Sequence, residues 1–234
     1  MSFRQSDPNK KVAEMFGRIT PYYDFLNHVL SLGLDTYWRK QLVRSVQLPG
    51  RGTLLDLAAG TLDVSRVISR AYPKARIIGL DVSGPMLRHG RRKRDTGNIL
   101  PVRADARYIP LARASVDCAT IAFGIRNVYP RKAAYSQILD VLSPGGKLCI
   151  LEFGSCQGRV LGGIYNRYLH SLLPKLGKLL SRDEAYTYLA RTISNFPQAE
   201  HLAQELHEAG FENVGYTPLS RGIVWIHTAY KKRQ

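Results

Sequence analysis

The sequence predicts an α/β protein built on a mostly parallel, doubly wound sheet. Five short apolar runs, rich in branched residues, alternate with segments of helical periodicity. Each run is nearly continuous in its apolar part, which is typical of a strand covered by helices on both faces. Because 234 residues with 44% hydrophobic content fit one such domain with additions, we expect a single domain over residues 1–234.

A helical segment at residues 10–48 precedes the first strand. Apolar and aromatic residues recur along it until Leu48, Pro49 and Gly50 break the pattern. Thr20 and Pro21 interrupt the segment, so Thr20 is predicted to cap a helix whose first turn contains the proline.

The strands and the remaining helices follow in order. The predicted parallel strands are residues 53–58, 75–82, 99–105, 116–124 and 146–154. A stretch rich in Tyr, Leu and Lys at 155–197 stops the alternation and is predicted to be a helical, lid-like insertion. A helix at 199–209 then ends at Gly210. Two last strands, joined by Ser220, Arg221 and Gly222, are predicted to pair in antiparallel fashion.

The charge balance narrows the class of partner. The 34 basic and 18 acidic residues give a net charge of +16, which indicates nucleic acid, anionic lipid or an acidic small molecule. Five basic side chains fall at 88–95, where a solvated helix end competes with a nucleic-acid patch. No recognisable RNA-binding module accompanies this run, so no nucleic acid is expected.

The patterns of cysteine, histidine and hydropathy bear on disulfides, metal sites and membrane spans. The three cysteines and six histidines lack metal-ligand spacing, so reduced thiols and no metal are expected. No apolar run approaches the roughly 20 residues that span a bilayer. We therefore expect a cytoplasmic protein, with contact to the inner face of the cell membrane left open.

The strongest local motif is LLDLAAGTLD at residues 54–63. A buried strand contains Asp56, and the small residues Gly60 and Thr61 then lead into a helix for which Asp63 is a candidate N-cap. A GxGxxG phosphate cradle is absent, and Asp56 would repel a pyrophosphate. The ligand is therefore expected to carry cationic or donor groups, as S-adenosylmethionine does with its ammonium and sulfonium.

Two further acids follow at strand ends. Asp81 can accept both hydroxyls of a ribose, and Asp105 with Ala106 is placed to meet an adenine edge. Each acid alone is as readily a loop or capping carboxylate. Together they predict a cofactor site made of Asp56, Gly60, Thr61, Asp81, Asp105 and Ala106.

The chain resembles the ubiquinone/menaquinone biosynthesis methyltransferase family over most of its length. The more specific similar blocks are KVAEMFGRITPYYDFLNHVLSLGLDTYWRK and AFGIRNV, with VLSPGGKLCILEFG and RGIVWIHTAYK among the others. The resemblance implies the seven-stranded class I methyltransferase fold with an antiparallel last strand, and S-adenosylmethionine as cofactor. It places Thr61, Asp81, Asp105 and Ala106 at the cofactor, and Arg126 and Asn127 beside the reacting ring.

Four positions depart from the family's pattern. Leu62 replaces the second glycine of GTGD, and a negative φ is expected there because leucine is strained otherwise. Asp35, Ala122 and Gly154 stand where histidine, serine and serine are usual. These departures leave room for a related enzyme acting on another phenolic or polyketide ring.

The resemblance implies C-methylation of a polyprenyl quinol, with demethylmenaquinol preferred over a benzoquinol. Attack from a ring carbon requires the phenol to be ionised or hydrogen-bonded toward phenolate. Arg126 is predicted as the electrostatic partner, with Asn127 orienting the ring or a water. A water or a carboxylate takes the proton, because arginine stays protonated. The alternative for Arg126 is a structural pair with an acid at a strand end.

A lipid-soluble substrate implies an apolar channel and peripheral contact with an anionic bilayer. The N-terminal aromatics and the insertion are candidate channel walls, with Tyr22 and Tyr23 as candidate hydrogen-bond partners of the quinol. The competing interpretation is that this apolar stripe packs on the sheet. A nucleic-acid-binding protein on a methyltransferase scaffold and an inactive cofactor-binding partner are further alternatives, and a homodimer is left open.

Overall fold

The computed structural model describes residues 8–93, 97–154, 188 and 191–233. Two helices come first, α1 (Pro8–Leu30) and α2 (Leu34–Ser45). The alternating part that follows consists of β1 (Thr53–Leu57), α3 (Asp63–Ala71), β2 (Arg76–Asp81), α4 (Gly84–Arg91), β3 (Ile99–Arg103), β4 (Val116–Ala122), α5 (Arg131–Val141) and β5 (Leu142–Phe153). The C-terminal part consists of α6 (Ala199–Glu208), β6 (Glu212–Leu219) and β7 (Val224–Tyr230).

The seven strands form one sheet in the order β3-β2-β1-β4-β5-β7-β6. The first five pair in parallel, and β7 runs antiparallel between β5 and β6. The predicted antiparallel terminal pair is thus confirmed. Since the order reverses beside β1, the carboxyl ends of β1, β2 and β4 flank the crevice where such sheets bind ligands.

Helices cover both faces of the sheet, as the continuous apolar strands require. On one face Trp38 and Leu42 of α2 pack with Ile68 of α3. On the other face Ile138 of α5 packs with Leu202 of α6. Alternate residues of each central strand point to the two cores, and the doubly wound arrangement follows.

Helix α1 differs from the prediction at Thr20 and Pro21. The helix runs through the proline without a break. Thr20 is no N-cap, because its hydroxyl donates to the carbonyl of Phe16 at 3.0 Å, one turn back along the helix. A local side-chain bond of this kind occupies a carbonyl near the point where proline removes a backbone donor.

The predicted insertion falls mostly outside the described residues. Within it the structure describes Tyr188, which is helical, and the stretch 191–197. The basic and leucine-rich part proposed as a lid therefore lies outside the described residues. No described helix is both long enough and apolar enough to cross a bilayer.

Candidate functional site

A cleft of about 680 Å³ opens at the carboxyl edge of the parallel strands. Its floor is formed by the ends of β1, β2, β3 and β4, and α1 covers it from above. The lining includes Asn9, Val12, Ala13, Phe16, Tyr23, Gly60, Leu80, Asp81, Met86, Asp105, Ala106, Phe123 and Asn127. A mostly apolar cleft with a few polar groups is typical of a small-molecule site.

A second cavity of about 410 Å³ lies on the other side of the loop 58–62. Tyr23, Gly60 and Phe123 line both cavities and so stand between them. Arg39 and Thr61 contribute polar groups to the second cavity. The two spaces meet at the end of β1.

The loop 58–62 is held in an unusual backbone conformation. Ala58, Gly60 and Leu62 all have positive φ, at 51°, 54° and 63°. A Cβ at Gly60 would lie 3.2 Å from the Cε of Met86, so a side chain there would crowd the cleft. Clustered left-handed residues are characteristic of ligand sites, where the surrounding fold holds the strain in place.

Leu62 contradicts the expectation of a negative φ. Its side chain is fully buried, and its Cδ2 lies 2.5 Å from where a Cβ at Gly79 would be. Gly90 makes similar room beside the Cγ of Leu62. Burial among these glycines offsets the backbone strain. The N-cap of α3 is accordingly Leu62, and Asp63, the predicted cap, is the first helical residue.

Asp81 lies at the end of β2 and lines the cleft. Its Oδ2 accepts from the amide of Gly60 at 2.8 Å, and its Oδ1 accepts from the amide of Ser83 at 2.7 Å. Burial raises the pKa of Asp81, and the two amide bonds oppose that rise. Each oxygen keeps a lone pair that a ligand hydroxyl can use.

Asp56 is engaged by the protein itself. Its two oxygens accept from the hydroxyls of Ser65 at 2.6 Å and Thr120 at 2.8 Å. The residue is 1% exposed, and burial raises its pKa to about 6 against these two hydrogen bonds. Asp56 borders the second cavity, but its first role visible in the fold is to tie α3 and β4 to β1.

Asp105 and Ala106 both line the cleft after β3. The carboxylate of Asp105 is held by the guanidinium of Arg107, whose Nη2 donates to Oδ2 at 2.7 Å. The amide of Arg107 also donates to Oδ1 at 2.9 Å. These bonds fix the direction of Asp105 at the cleft mouth.

Thr61 connects the loop to α1. Its hydroxyl donates to Asp24 Oδ1 at 2.5 Å, and Lys93 Nζ lies 2.5 Å from the other oxygen of Asp24. Lys93 also donates to Asp63 at 2.6 Å. Burial would raise the pKa of Asp24, but the hydrogen bonds from Lys93 and Thr61 lower it overall. This set, here called the α1 clamp, joins the roof of the cleft to its floor.

Arg126 pairs with an acid at a strand end, as the alternative interpretation held. Its Nη1 lies 2.6 Å from Oε1 of Glu152 and donates to the carbonyl of Phe123, also at 2.6 Å. The Arg126 and Glu152 side chains are 4% and 1% exposed. Burial raises the pKa of Glu152, and the charge of Arg126 opposes that rise. The Nε of Arg126 is a buried donor without an acceptor in the described part of the chain.

Asn127 reaches the cleft directly. Its Oδ1 accepts from the Tyr188 hydroxyl at 3.0 Å, and Tyr188 packs edge-on against Phe16. Tyr23 also lines the cleft, and burial raises its pKa. Tyr22 is 51% exposed and lies outside the lining of both cavities.

Two residues that sequence reasoning missed contribute charge here. Arg39 lies at the second cavity with its Nη1 2.7 Å from Asp35, and Glu152 buttresses Arg126. Both belong to blocks already noted for their specificity or similarity, yet only the folded chain brings Arg39 to the second cavity and Glu152 to Arg126. Asp35 itself is buried, and Ser31 donates to it at 3.0 Å, so this departure from the family's pattern is structurally supported.

Gly154 is also explained by packing. A Cβ at this position would collide with the indole ring of Trp225. The serine usual in the family would need Trp225 to move. Among the described residues no cluster of His, Cys, Asp and Glu could hold a metal ion.

Comparison with known proteins gives concordant matches. The model of the ubiE/COQ5 methyltransferase family matches residues 4–231. A Syntrophotalea carbinolica protein named ubiquinone/menaquinone biosynthesis C-methyltransferase UbiE is 40% identical, over 94% of this chain and 94% of its own length. The protein of that name in Pseudomonas aeruginosa is 38% identical, over 97% and 91%. A Thermotoga maritima S-adenosylmethionine-dependent methyltransferase structure, a possible histamine N-methyltransferase, aligns with a TM-score of 0.67 at 18% identity, over 94% of this chain and 99% of that one.

Proposed function

The chain belongs to the ubiE/COQ5 methyltransferase family, and from that premise we propose that it methylates a ring carbon of demethylmenaquinol. Its fold is the predicted class I methyltransferase fold. It is an S-adenosylmethionine-dependent C-methyltransferase of ubiquinone/menaquinone biosynthesis. The naphthoquinol ring, its polyprenyl tail and the residue roles below are what we propose.

One observation carries the proposal: Asp81, Asp105 and Asn127 line a single cleft. Cofactor and acceptor ring can therefore lie in one space. Helix α1 covers both through apolar and aromatic side chains, among them Phe16 and Tyr23. The main contribution of a protein to methyl transfer is to hold the two reactants in contact and away from water.

The residues present fit S-adenosylmethionine, which supplies an electrophilic methyl group on a sulfonium centre. The free lone pairs of Asp81 suit the ribose hydroxyls, and Leu80, Met86 and Ala106 offer apolar walls for adenine. Gly60 lets the ligand approach the backbone closely. In the second cavity, Thr61 and the guanidinium of Arg39 suit the amino-acid end, whose carboxylate needs a cationic partner.

Arg126 and Asn127 are proposed to act on the quinol. Asn127 lines the cleft and orients the ring. Arg126 lines neither cavity, but its neighbours Gly124 and Asn127 line the cleft, and its unpaired Nε is the proposed donor for the developing phenolate. Glu152 holds the guanidinium in place. Arginine stays protonated, so the phenolic proton goes to a water or to a carboxylate, and Glu152 is the carboxylate bound to Arg126. Tyr23 is the proposed hydrogen-bond partner of the ring, and Tyr22 is left out of this role because it lines neither cavity.

The substrate class also implies contact with lipid. A polyprenyl quinol is dissolved in the bilayer, so the protein must reach the membrane surface to collect it. A net charge of +16 favours a bilayer rich in anionic lipid.

The test is methyl transfer from labelled S-adenosylmethionine to reduced demethylmenaquinol and, in parallel, to a demethylated benzoquinol, each dispersed in anionic vesicles. Labelled demethylmenaquinol product supports the proposal, and the rate ratio ranks the two rings. Product from the benzoquinol alone would move the assignment to the ubiquinone step. If neither is labelled although the cofactor binds, another phenolic ring is the substrate.

A further inference from the structure

The hairpin of α1 and α2 exposes a cluster of large apolar side chains. Six of the eleven exposed large hydrophobic residues in the described part of the chain fall between residues 22 and 37. They are Tyr22, Phe25 and Val29 on α1, Leu32 in the turn, and Leu34 and Tyr37 on α2, and are called the hairpin tip. Such clustering in one short segment marks a contact surface, whereas scattered apolar residues do not.

Helical spacing separates this surface from the cleft while keeping both on α1. Tyr22, Phe25 and Val29 follow one another at three and four residues, so they form one outward stripe. Phe16 and Tyr23 lie on another stripe, which lines the cleft. Helix α1 thus has the reaction space on one side and the hairpin tip on another.

Leu32 has no evident role in folding. It is 81% exposed, and its φ is 51°, a left-handed conformation in which leucine is strained. The next residue, Gly33, takes a similar conformation at φ 78° without that penalty. A leucine kept exposed in a strained turn gains stabilisation only where a partner buries it.

The flanks of the hairpin tip are basic. Lys40 and Arg44 are exposed on α2, about one and two turns further along the helix from Tyr37. The nearby acids are already engaged, since Asp35 is bound to Arg39 and Asp24 to Lys93. An apolar tip with cationic flanks is complementary to an anionic membrane surface.

We propose that the hairpin tip is a membrane-docking surface that inserts Phe25 and Leu32 into the headgroup region of an anionic bilayer. Lys40 and Arg44 then lie at the level of the lipid phosphates. The purpose of this docking rests on the function proposed above, because α1 connects the docked tip to the cleft that receives the quinol. A second copy of the chain fits less well, since packing two tips together would also bring their basic flanks together.

The experiment is flotation of the full chain with vesicles of phosphatidylglycerol and phosphatidylcholine, and with phosphatidylcholine alone. We expect binding to the anionic vesicles only. The double variant Phe25→Ser/Leu32→Ser should lower the partition coefficient roughly tenfold or more. Lys40→Gln/Arg44→Gln should lower it by about tenfold as well, and only on anionic vesicles. Leu100→Ser is the matched control, since Leu100 is 46% exposed on β3, at the edge of the sheet, and should bind as the parent does.

Two further measurements keep the outcomes distinct. Circular dichroism melting should show that the tip variant is folded. The tip variant should also methylate a short-tailed quinol in solution at the parent rate. Unchanged vesicle binding in the tip variant would overturn the proposal. So would a loss of dimers in light scattering with vesicle binding retained, because the tip would then be an interface between copies.

The two proposals fail separately. If the parent chain methylates the short-tailed quinol but binds neither kind of vesicle, the docking surface is refuted and the proposed function stands. If it binds anionic vesicles through the tip but methylates no quinol, the docking surface stands and the substrate is wrong.

Discussion

Leu62 occupies a left-handed position in loop 58–62 at φ 63°, and its side chain is fully buried. The strain of such a position costs about 1–2 kcal/mol for a non-glycine residue. Removing a buried leucine costs about 3–5 kcal/mol. Since the second quantity is larger, the leucine stabilises the loop despite its backbone, and Gly79 and Gly90 make the room for it.

Leu62→Gly is therefore expected to lower the free energy of unfolding by about 2 kcal/mol, although it restores the residue usual in the family. Urea unfolding measures this. Leu32→Gly is the control, because Leu32 has φ 51° but is 81% exposed, and its replacement should leave stability unchanged or slightly raised. Equal effects at the two sites would contradict the packing explanation.

Asp56 makes stability depend on pH between about 4 and 6. Burial raises its pKa from 3.8 to about 6 in the folded chain. Well below the unfolded pKa of 3.8 both states hold the proton. As pH rises toward 6 the unfolded state ionises first and is favoured, so stability is lost through this window. The difference corresponds to about 3 kcal/mol.

Asp56→Asn should remove that loss. The variant is expected to be more stable than the parent at pH 8, by up to about 3 kcal/mol, and close to it at pH 4. Urea midpoints at both pH values measure the effect. Calorimetric titration of S-adenosylmethionine with the same variant tests the predicted contact of Asp56 with the cofactor, which would be lost with the charge. A variant no more stable at pH 8 would refute the pKa assignment.

Arg126 and Glu152 have to be tested as a pair. Arg126→Ala should abolish turnover and leave S-adenosylmethionine binding nearly intact, but it also strands the buried carboxylate of Glu152. That isolation should cost about 3–5 kcal/mol of stability. Arg126→Met/Glu152→Gln removes both charges and should recover most of the stability. If Arg126 acts on the phenolate, this double variant should still show no turnover. Recovered turnover would mean that the Arg126–Glu152 pair has only a structural role.

At the scale of elements, the strands were predictable from the sequence, whereas the course of the first helix was not. Continuous apolar runs bounded by turn residues placed β1 to β4 within about two residues at each end, because burial on both faces leaves few alternatives. Thr20 and Pro21 misled the prediction, since a proline inside a helix is tolerated when the rest of the helix is held by tertiary contacts.

The candidate site also contains residues that could be predicted from the sequence and residues that could not. Asp81 and Asp105 were predicted at one site because strand topology brings their positions to the same edge, and the family resemblance placed Asn127 beside the reacting ring; all three line the cleft. The partners of Asp24 and Glu152 come from elements far apart in the chain. No local pattern encodes such pairings, so the roles of Glu152 and of the α1 clamp required the folded structure, as did the position of Arg39 at the second cavity.

The α1 clamp predicts a dynamic role for the first helix. A ligand covered by α1 leaves when the contacts of Asp24 with Thr61 and Lys93 open. Asp24→Asn removes the charge and should raise the dissociation rate of S-adenosylmethionine by about fivefold to thirtyfold, with faster amide exchange along α1. Stopped-flow displacement measures the rate.

Glu14→Gln is the control for the clamp, because Glu14 is an exposed acid on the same helix. S-adenosylmethionine should dissociate from the Glu14→Gln variant at the same rate as from the parent. Because the pKa of Asp24 is lowered, its carboxylate stays ionised as pH falls below the ordinary range of aspartate, and the clamp loosens only when pH falls through the lower folded pKa. A rate that rises between pH 6 and 8 would contradict this.

At the scale of the whole molecule, a net charge of +16 sets two properties against each other. Repulsion among like charges destabilises the compact state, and the same charge attracts the chain to an anionic surface. Both effects act over distances that salt screens, with a Debye length of about 10 Å at 0.1 M and about 3 Å at 1 M. Added salt should therefore raise the stability of the folded chain and weaken its binding to an anionic surface.

Raising sodium chloride from 0.05 to 0.5 M, on the order of a threefold reduction in Debye length, should raise the melting temperature of the free protein by a few degrees. It should weaken binding to phosphatidylglycerol vesicles by at least about tenfold. The hairpin tip supplies the control, since Lys40→Gln/Arg44→Gln should flatten the salt dependence of vesicle binding while leaving that of the melting temperature nearly intact. If vesicle binding by this variant keeps the salt dependence of the parent, the attraction belongs to the overall charge, and the hairpin tip is not where the protein meets the bilayer.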